Sequence, residues 1–282
     1  MTGDRRIEIP ALSRPTRIEN SPLRGLALRW FAAAALAAFG VGAPASADEL
    51  VTFASADHGD PIEGYLTRPK GAGPFPAVAL LHTCLGLPAS RASLGERIAS
   101  WGYVALFVDD FATRGLRETC AVDFNEAMAD AYGALAYLSR LPFVDGARIA
   151  AVGFSQGGDT ALKIAASRPE TSSGAREPRF KAAAAFYPPC ANEADATFGI
   201  PTLILVGAND EVTPAADCAR LAKRQAPGAV KLVVYPGAAH GFDNPEFGPG
   251  RQVMGMLLAY DRNAGPRSWA ELRDFLATRL AR

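Results

Sequence analysis

With 282 residues, 49% hydrophobic and 21% charged, the chain has the composition of a folded globular protein, which excludes a disordered or fibrous one. Its 29 basic and 29 acidic side chains cancel, and no basic patch shows in the sequence, so nucleic acid is not an expected partner. No heptad pattern and no repeat of about 20–50 residues is present, which excludes a coiled coil or a solenoid.

Residues 1–47 read as a leader, separate from the fold. They hold six arginines and three acids, the last arginine being Arg29. The apolar run Trp30–Val41 follows, and then the small residues Ala45-Ser46-Ala47. A positive lead, an apolar core of about 7–15 residues and a small-residue cut form the layout of a cleaved signal peptide. The run is shorter than the roughly 20 apolar residues that cross a bilayer, so no stable membrane anchor is expected after cleavage. The expectation is an exported protein, periplasmic or secreted, whose residues 48–282 form one catalytic domain. Its four cysteines, an even number, then sit in an oxidising compartment.

Two strands open this domain, Leu50–Ser55 and Ile62–Thr67, joined by the polar turn His58-Gly59-Asp60-Pro61. Fully apolar runs follow at Ala77–Leu81, Val104–Val108, Ile149–Phe154, Ala182–Phe186, Leu203–Val206 and Leu232–Tyr235. Apolar residues without alternation suit strands buried on both faces of a parallel sheet. Helical spacing appears between and after them, at Ala89–Ser100, Phe124–Ser139, Gly157–Ser167, Ala215–Gln225 and Trp269–Leu280. The polar stretch Ser172–Pro178 reads as a surface loop, not a domain boundary. The pattern predicts an α/β fold: a mostly parallel, eight-stranded sheet with helices on both faces, on the plan of an α/β-hydrolase.

Gly153-Phe154-Ser155-Gln156-Gly157 sits where a strand ends and a helix begins, the setting of a G-x-S-x-G nucleophile elbow. A sharp turn there lifts the serine from the sheet edge, and the glycines leave room for it. Serine needs a base, and the chain has three histidines. His58 lies in the first hairpin turn and reads as a solvated surface residue, while His82 precedes the elbow and reads as structural. His240, in Gly237-Ala238-Ala239-His240-Gly241-Phe242, alone obeys the order serine, acid, histidine. The acid falls after the run Leu203–Val206, at Asp210, with Glu211 beside it; Asp217 and Asp243 are weaker candidates. The plainer reading of Asp210 is a helix cap. The oxyanion hole is expected from the backbone N–H groups of Gln156 and Cys84, with Thr83 as second choice. His82 and Cys84 make only two metal ligands, so no metal is expected.

At these residues the chain resembles the dienelactone hydrolase family of α/β-hydrolases. The likeness runs from about Glu49 to the C-terminus. It rests on His82-x-x-x-Gly86-Leu87, Val108-Asp109-Asp110-Phe111-x-x-Arg114-Gly115, the elbow, Gly207–Asp210, His240-Gly241-Phe242, and the ending Ala259-Tyr260-Asp261 through Trp269 to Phe275-Leu276. The resemblance implies a compact enzyme without a large lid domain and without a cofactor. The namesake enzymes carry a cysteine nucleophile and a glutamate after the third-strand histidine; here these are Ser155 and Thr83. The chain thus looks like the serine-using exported relatives, and a small-molecule ester or lactone is the expected substrate. A prolyl-oligopeptidase type of peptidase is an alternative, but it normally adds a large N-terminal domain for which 235 residues leave no room. A non-catalytic binding relative is another, although no triad member is missing. Arg114 has two readings: anchor for a substrate carboxylate, or partner of Asp109 or Asp110; the second is favoured.

The strand order of this fold places the third strand beside the fourth and the sixth beside the seventh. Neighbouring strands lie about 4.8 Å apart and a disulfide wants Cα atoms roughly 4.4–6.8 Å apart. Cys84–Cys120 and Cys190–Cys218 are therefore the expected bridges, with buried free thiols as the alternative.

Overall fold

The computed structural model describes residues 48–122, 124–167 and 178–281. The expected leader and all but the last residue of the 172–178 loop lie outside them. Eight strands form one sheet: β1 (Glu49–Ala54), β2 (Pro61–Thr67), β3 (Phe75–Leu81), β4 (Val104–Asp109), β5 (Val144–Phe154), β6 (Ala182–Phe186), β7 (Thr202–Gly207) and β8 (Val230–Tyr235). Their order is β1-β2-β4-β3-β5-β6-β7-β8. Only β2 runs against its neighbours; every other pairing from β4 to β8 is parallel.

Among the described residues five α-helices flank the sheet: α1 (Arg91–Ser100), α2 (Ala127–Arg140), α3 (Gln156–Ala166), α4 (Ala215–Arg224) and α5 (Ala264–Arg279). Alternate strand residues face opposite layers. Val78 and Leu80 of β3 pack with Ile98 of α1 and with Trp269, Leu272 and Leu276 of α5. Ala77, Ala79 and Leu81 pack with Ala131, Leu135 and Leu138 of α2. On that second face α3 and α4 add Leu162 and Leu221 against Ala185 and Ile204. Both faces are thus covered, which is why these strands read as unbroken apolar runs. The architecture is the α/β-hydrolase fold.

Three boundaries differ from the sequence reading by three residues or more. Strand β5 begins at Val144, ahead of Ile149, because Val144 pairs with Phe75 before a register shift brings Ala77 opposite Ile149; the intervening Asp145 and Arg148, which form an ion pair, interrupt the apolar run. Helix α2 begins at Ala127, and Phe124 instead meets Phe111 edge-on at 5.4 Å. Helix α5 begins at Ala264, where Asp261 Oδ1 accepts the amides of Asn263 and Ala264. A hairpin of three-residue strands, β9 (Arg251–Val253) and β10 (Met256–Leu258), is too short to register as a period. No helix among the described residues is long and apolar enough to cross a membrane.

The loops following β3, β5, β6, β7 and β8 leave the C-terminal edge of the parallel strands, where open α/β sheets carry their ligand sites. The short hairpin joins them there, bridged to the β8 loop through His240 and Leu258.

Candidate active site

Ser155 stands between β5 and α3 with φ 53° and ψ −111°. Positive φ is strained for a non-glycine residue, so the surroundings must hold it. Ser155 N donates to Phe186 O at 2.9 Å, and Gly157 N donates to His82 O at 3.0 Å. The two flanking glycines are required by space. A Cβ on Gly153 would lie 1.8 Å from Gly157 O, and one on Gly157 would lie 2.3 Å from Leu81 O.

The structure brings Ser155, His240 and Asp210 into one hydrogen-bonded chain. His240 Nε2 lies 3.0 Å from Ser155 Oγ, and His240 Nδ1 lies 2.8 Å from Asp210 Oδ2. Beside a carboxylate Nδ1 carries the proton, so Nε2 offers its lone pair to the serine hydroxyl. His240 and Asp210 are both buried, and Ser155 is half-buried. Asp210 also does what a cap does: its Oδ1 accepts the amides of Val212 at 2.9 Å and Thr213 at 2.8 Å. The two readings of this aspartate are not exclusive, because one oxygen shapes the turn and fixes the other toward His240. Glu211 is exposed, and Asp217 pairs with Arg220.

The remaining histidines are placed elsewhere. His58 is exposed beside Asp57. His82 is buried with Nδ1 2.7 Å from Thr83 O, its ring edge-on to Phe111 at 4.4 Å. Burial holds its pKa below the ordinary value, against the opposing hydrogen bond to Thr83 O.

Of the expected oxyanion donors, Cys84 lines the narrow space around Ser155 and His240, and Gln156 opens α3 directly after Ser155. Thr83 folds the β3 loop through its Oγ1, which accepts Leu85 N at 3.1 Å, and through its carbonyl, which accepts Gly86 N at 3.0 Å. Among the described residues, neither Cys84 N nor Gln156 N donates to another protein group. Thr119 ties both residues together: its N donates to Cys84 O at 2.8 Å and its Oγ1 to Gln156 Oε1 at 2.9 Å. Cys120, the next residue, is bonded to Cys84 with Cα atoms 4.8 Å apart. The second disulfide, Cys190–Cys218 with Cα atoms 5.0 Å apart, fastens α4 to the segment after β6. Selective reduction of Cys84–Cys120 is expected to lower kcat more than it raises KM, because the oxyanion exists only near the transition state. Steady-state kinetics before and after mild reduction, with both thiols alkylated and mapped, measure the split; an effect confined to KM contradicts it.

Arg114 does not face the serine. Its guanidinium forks onto Asp130 at 2.7 and 3.1 Å and also donates to Asp110 O at 2.7 Å. The carboxylate partner is therefore Asp130 of α2, a correction to Asp109 or Asp110. Asp109 instead accepts the amides of Phe111 and Ala112. The carboxyl of Asp110 is driven well above its ordinary pKa, by burial first and by Asp130 second. Asp130 arrives sixteen residues later on another element, beyond the reach of local pattern.

A hollow of about 240 Å³, with Phe154 and Tyr187 in its wall, adjoins the site. It shares Thr83, Leu85, Tyr187 and Phe247 with the narrow space around Ser155 and His240. A wider groove of about 880 Å³, lined by Phe180, Lys181, Ile200 and Arg279, lies at the N-terminal ends of β6 and β7, away from the triad. Among the described residues no group of three or more His, Cys, Asp or Glu is placed to hold a metal.

Residues 62–280 match the family model described as the dienelactone hydrolase family. Cutinase 1 of Thermobifida cellulosilytica is 29% identical over 179 residues, 63% of this chain and 64% of that protein. Esterase FrsA of Klebsiella pneumoniae is 30% identical over 112 residues, 40% of this chain and 27% of that one. The chain thus spans less than two thirds of the length of these curated relatives. A solved dienelactone hydrolase of Anabaena variabilis superposes with a TM-score of 0.60 at 21% identity, over 84% of this chain and 98% of that chain. A dienelactone hydrolase-like promiscuous phosphotriesterase from metagenomic libraries gives 0.64 at 23% identity, over 84% of this chain and 100% of its own. At these identities the two structures speak to the fold.

Proposed function

The chain belongs to the dienelactone hydrolase family, and from that premise we propose that it is a serine hydrolase cleaving small carboxylic esters or lactones. The observation that carries this reading is the chain of contacts from Ser155 Oγ through His240 to Asp210, at 3.0 and 2.8 Å. Ser155 Oγ attacks the carbonyl carbon as its proton passes to His240 Nε2, which Asp210 holds in the right tautomer. The N–H groups of Gln156 and Cys84 receive the oxyanion. The tetrahedral adduct collapses, the C–O bond to the alcohol breaks, and His240 returns the proton to the leaving oxygen. Water, deprotonated by His240, then cleaves the acyl-serine ester and restores Ser155. In a lactone the leaving alcohol stays tethered to the acyl group.

The adjoining hollow suits a short acyl group or a single ring. It has about 240 Å³, with Phe154, Tyr187 and Phe247 in its walls beside the charged Arg97, Asp243, Glu246 and Arg251; an apolar cavity of about 150 Å³ already admits benzene. We also propose that residues 1–47 are removed on export and that residues 48–282 act in the periplasm or outside the cell; two disulfides favour an oxidising compartment. A panel of nitrophenyl esters graded by acyl length, with small lactones and a benzoate included, tests the activity. Acetyl, butyryl and benzoyl esters are expected to be turned over. Palmitoyl ester should lose at least roughly tenfold in kcat/KM, the scale on which pocket fit discriminates apolar groups. Absence of hydrolysis across the whole panel would overturn the reading.

A further inference from the structure

We propose that Tyr187 and Asp243 are positioning residues for His240, a second clamp on the imidazole besides Asp210. The inference rests on reading Ser155, His240 and Asp210 as the triad, and it comes from how many parts of that triad meet at one tyrosine. Tyr187 follows β6 directly, and its neighbour Phe186 accepts Ser155 N. The backbone of Tyr187 has φ 40°, a strained value for a side-chain-bearing residue. It is fixed by donation of its N to Leu205 O at 2.6 Å and by Thr213 Oγ1, 3.1 Å from its carbonyl. That same Thr213 Oγ1 lies 2.9 Å from Asp210 Oδ2. The Tyr187 ring sits against the His240 ring, with centroids 4.6 Å apart. Its hydroxyl donates to Asp243 Oδ1 at 2.7 Å, and Asp243 belongs to the same loop as His240. One residue therefore packs against the imidazole, is linked through Thr213 to the carboxylate that orients it, and holds the loop that carries it.

Packing alone would be served equally well by phenylalanine. The hydroxyl matters because it engages a carboxyl that is otherwise almost wholly surrounded by protein. Burial raises the Asp243 pKa, and the Tyr187 hydrogen bond, a backbone hydrogen bond, Arg97 of α1 and His240 hold that rise to about 6. Glu246 and Arg251 line the same hollow. Near neutral pH Asp243 is thus mostly ionised, close enough to His240 to favour the imidazolium that forms as Ser155 attacks. Without the hydroxyl, burial shifts the balance toward the neutral acid and frees the loop.

The test is kcat and KM for a short-chain nitrophenyl ester across pH in Tyr187→Phe, Asp243→Asn and the double variant. Tyr187→Phe is expected to lower kcat roughly tenfold with KM within about twofold, since the loss is one of orientation at the reacting atoms. Its acid limb should move to higher pH, as the remaining carboxyl binds its proton more tightly. Asp243→Asn should lower kcat similarly, and adding Tyr187→Phe to it should change neither kcat nor the limb further. Additive losses, or an unmoved profile with wild-type kcat in Tyr187→Phe, overturn the clamp. Thermal melts of each variant are run alongside, and because Asp243→Asn reads the same pair from the other side, one poorly folded variant leaves the proposal exposed. A wild-type profile that survives Ser155→Ala would instead overturn the triad itself.

Discussion

Ser155→Ala is expected to abolish hydrolysis of a short-chain nitrophenyl ester, lowering kcat by on the order of 10⁴-fold or more, the usual scale for losing a triad member. The fold should survive. Ser155 makes its fixing hydrogen bond through its backbone N, to Phe186 O, and alanine keeps that bond. Alanine also occupies the strained φ of 53° with no larger side chain than serine. The hydroxyl removed is the one facing His240 Nε2, so the loss falls on chemistry while the thermal melt moves little. A variant that retained a tenth of the activity would mean that another group is the nucleophile.

His240→Ala should be nearly as damaging. The more telling result is the combination: added to Ser155→Ala, it is expected to cost almost nothing further, because a base without its nucleophile has no proton to take. Additive losses would place the two residues in separate steps. Asp210→Asn should lower kcat as well, since an amide facing Nδ1 disturbs the tautomer that presents Nε2 to the serine. Asparagine retains an oxygen for the amides of Val212 and Thr213, so the turn itself should hold. Glu211→Gln, at an exposed side chain, supplies the comparison; it should have little effect.

The sheet was legible because its central strands are buried on both faces, and their apolar runs lead into the residues proposed as the triad: Ser155 after β5, Asp210 after β7, His240 after β8. The strand order of the fold also led to both disulfide pairings, since Cys84 and Cys120 lie beyond neighbouring strands, as do Cys190 and Cys218. What local pattern did not show are contacts made across long separations. The fork of Arg114 onto Asp130 depends on how α2 returns over the sheet. Thr119, which joins Cys84 to Gln156, sits in a loop with no periodicity to mark it. Tyr187 closes an apolar run and looks like its last core residue; only its hydroxyl, 2.7 Å from an aspartate 56 residues on, sets it apart. The β9–β10 hairpin, with strands of three residues each, is too short for alternation to show, and it is also attached to His240. One such link is a hydrogen bond from Ala259 N to His240 O, at 3.0 Å.

The central claim is that Ser155 is an activated nucleophile, and covalent labelling tests it most directly. A fluorophosphonate reacts with serine hydroxyls made nucleophilic by an adjacent base and leaves ordinary ones untouched. Intact mass after treatment should rise by one adduct, peptide mapping should place it on Ser155, and the Ser155→Ala protein should remain unlabelled. A folded wild-type protein that takes up no label, or carries it on another residue, would contradict the account and favour a binding role for this site.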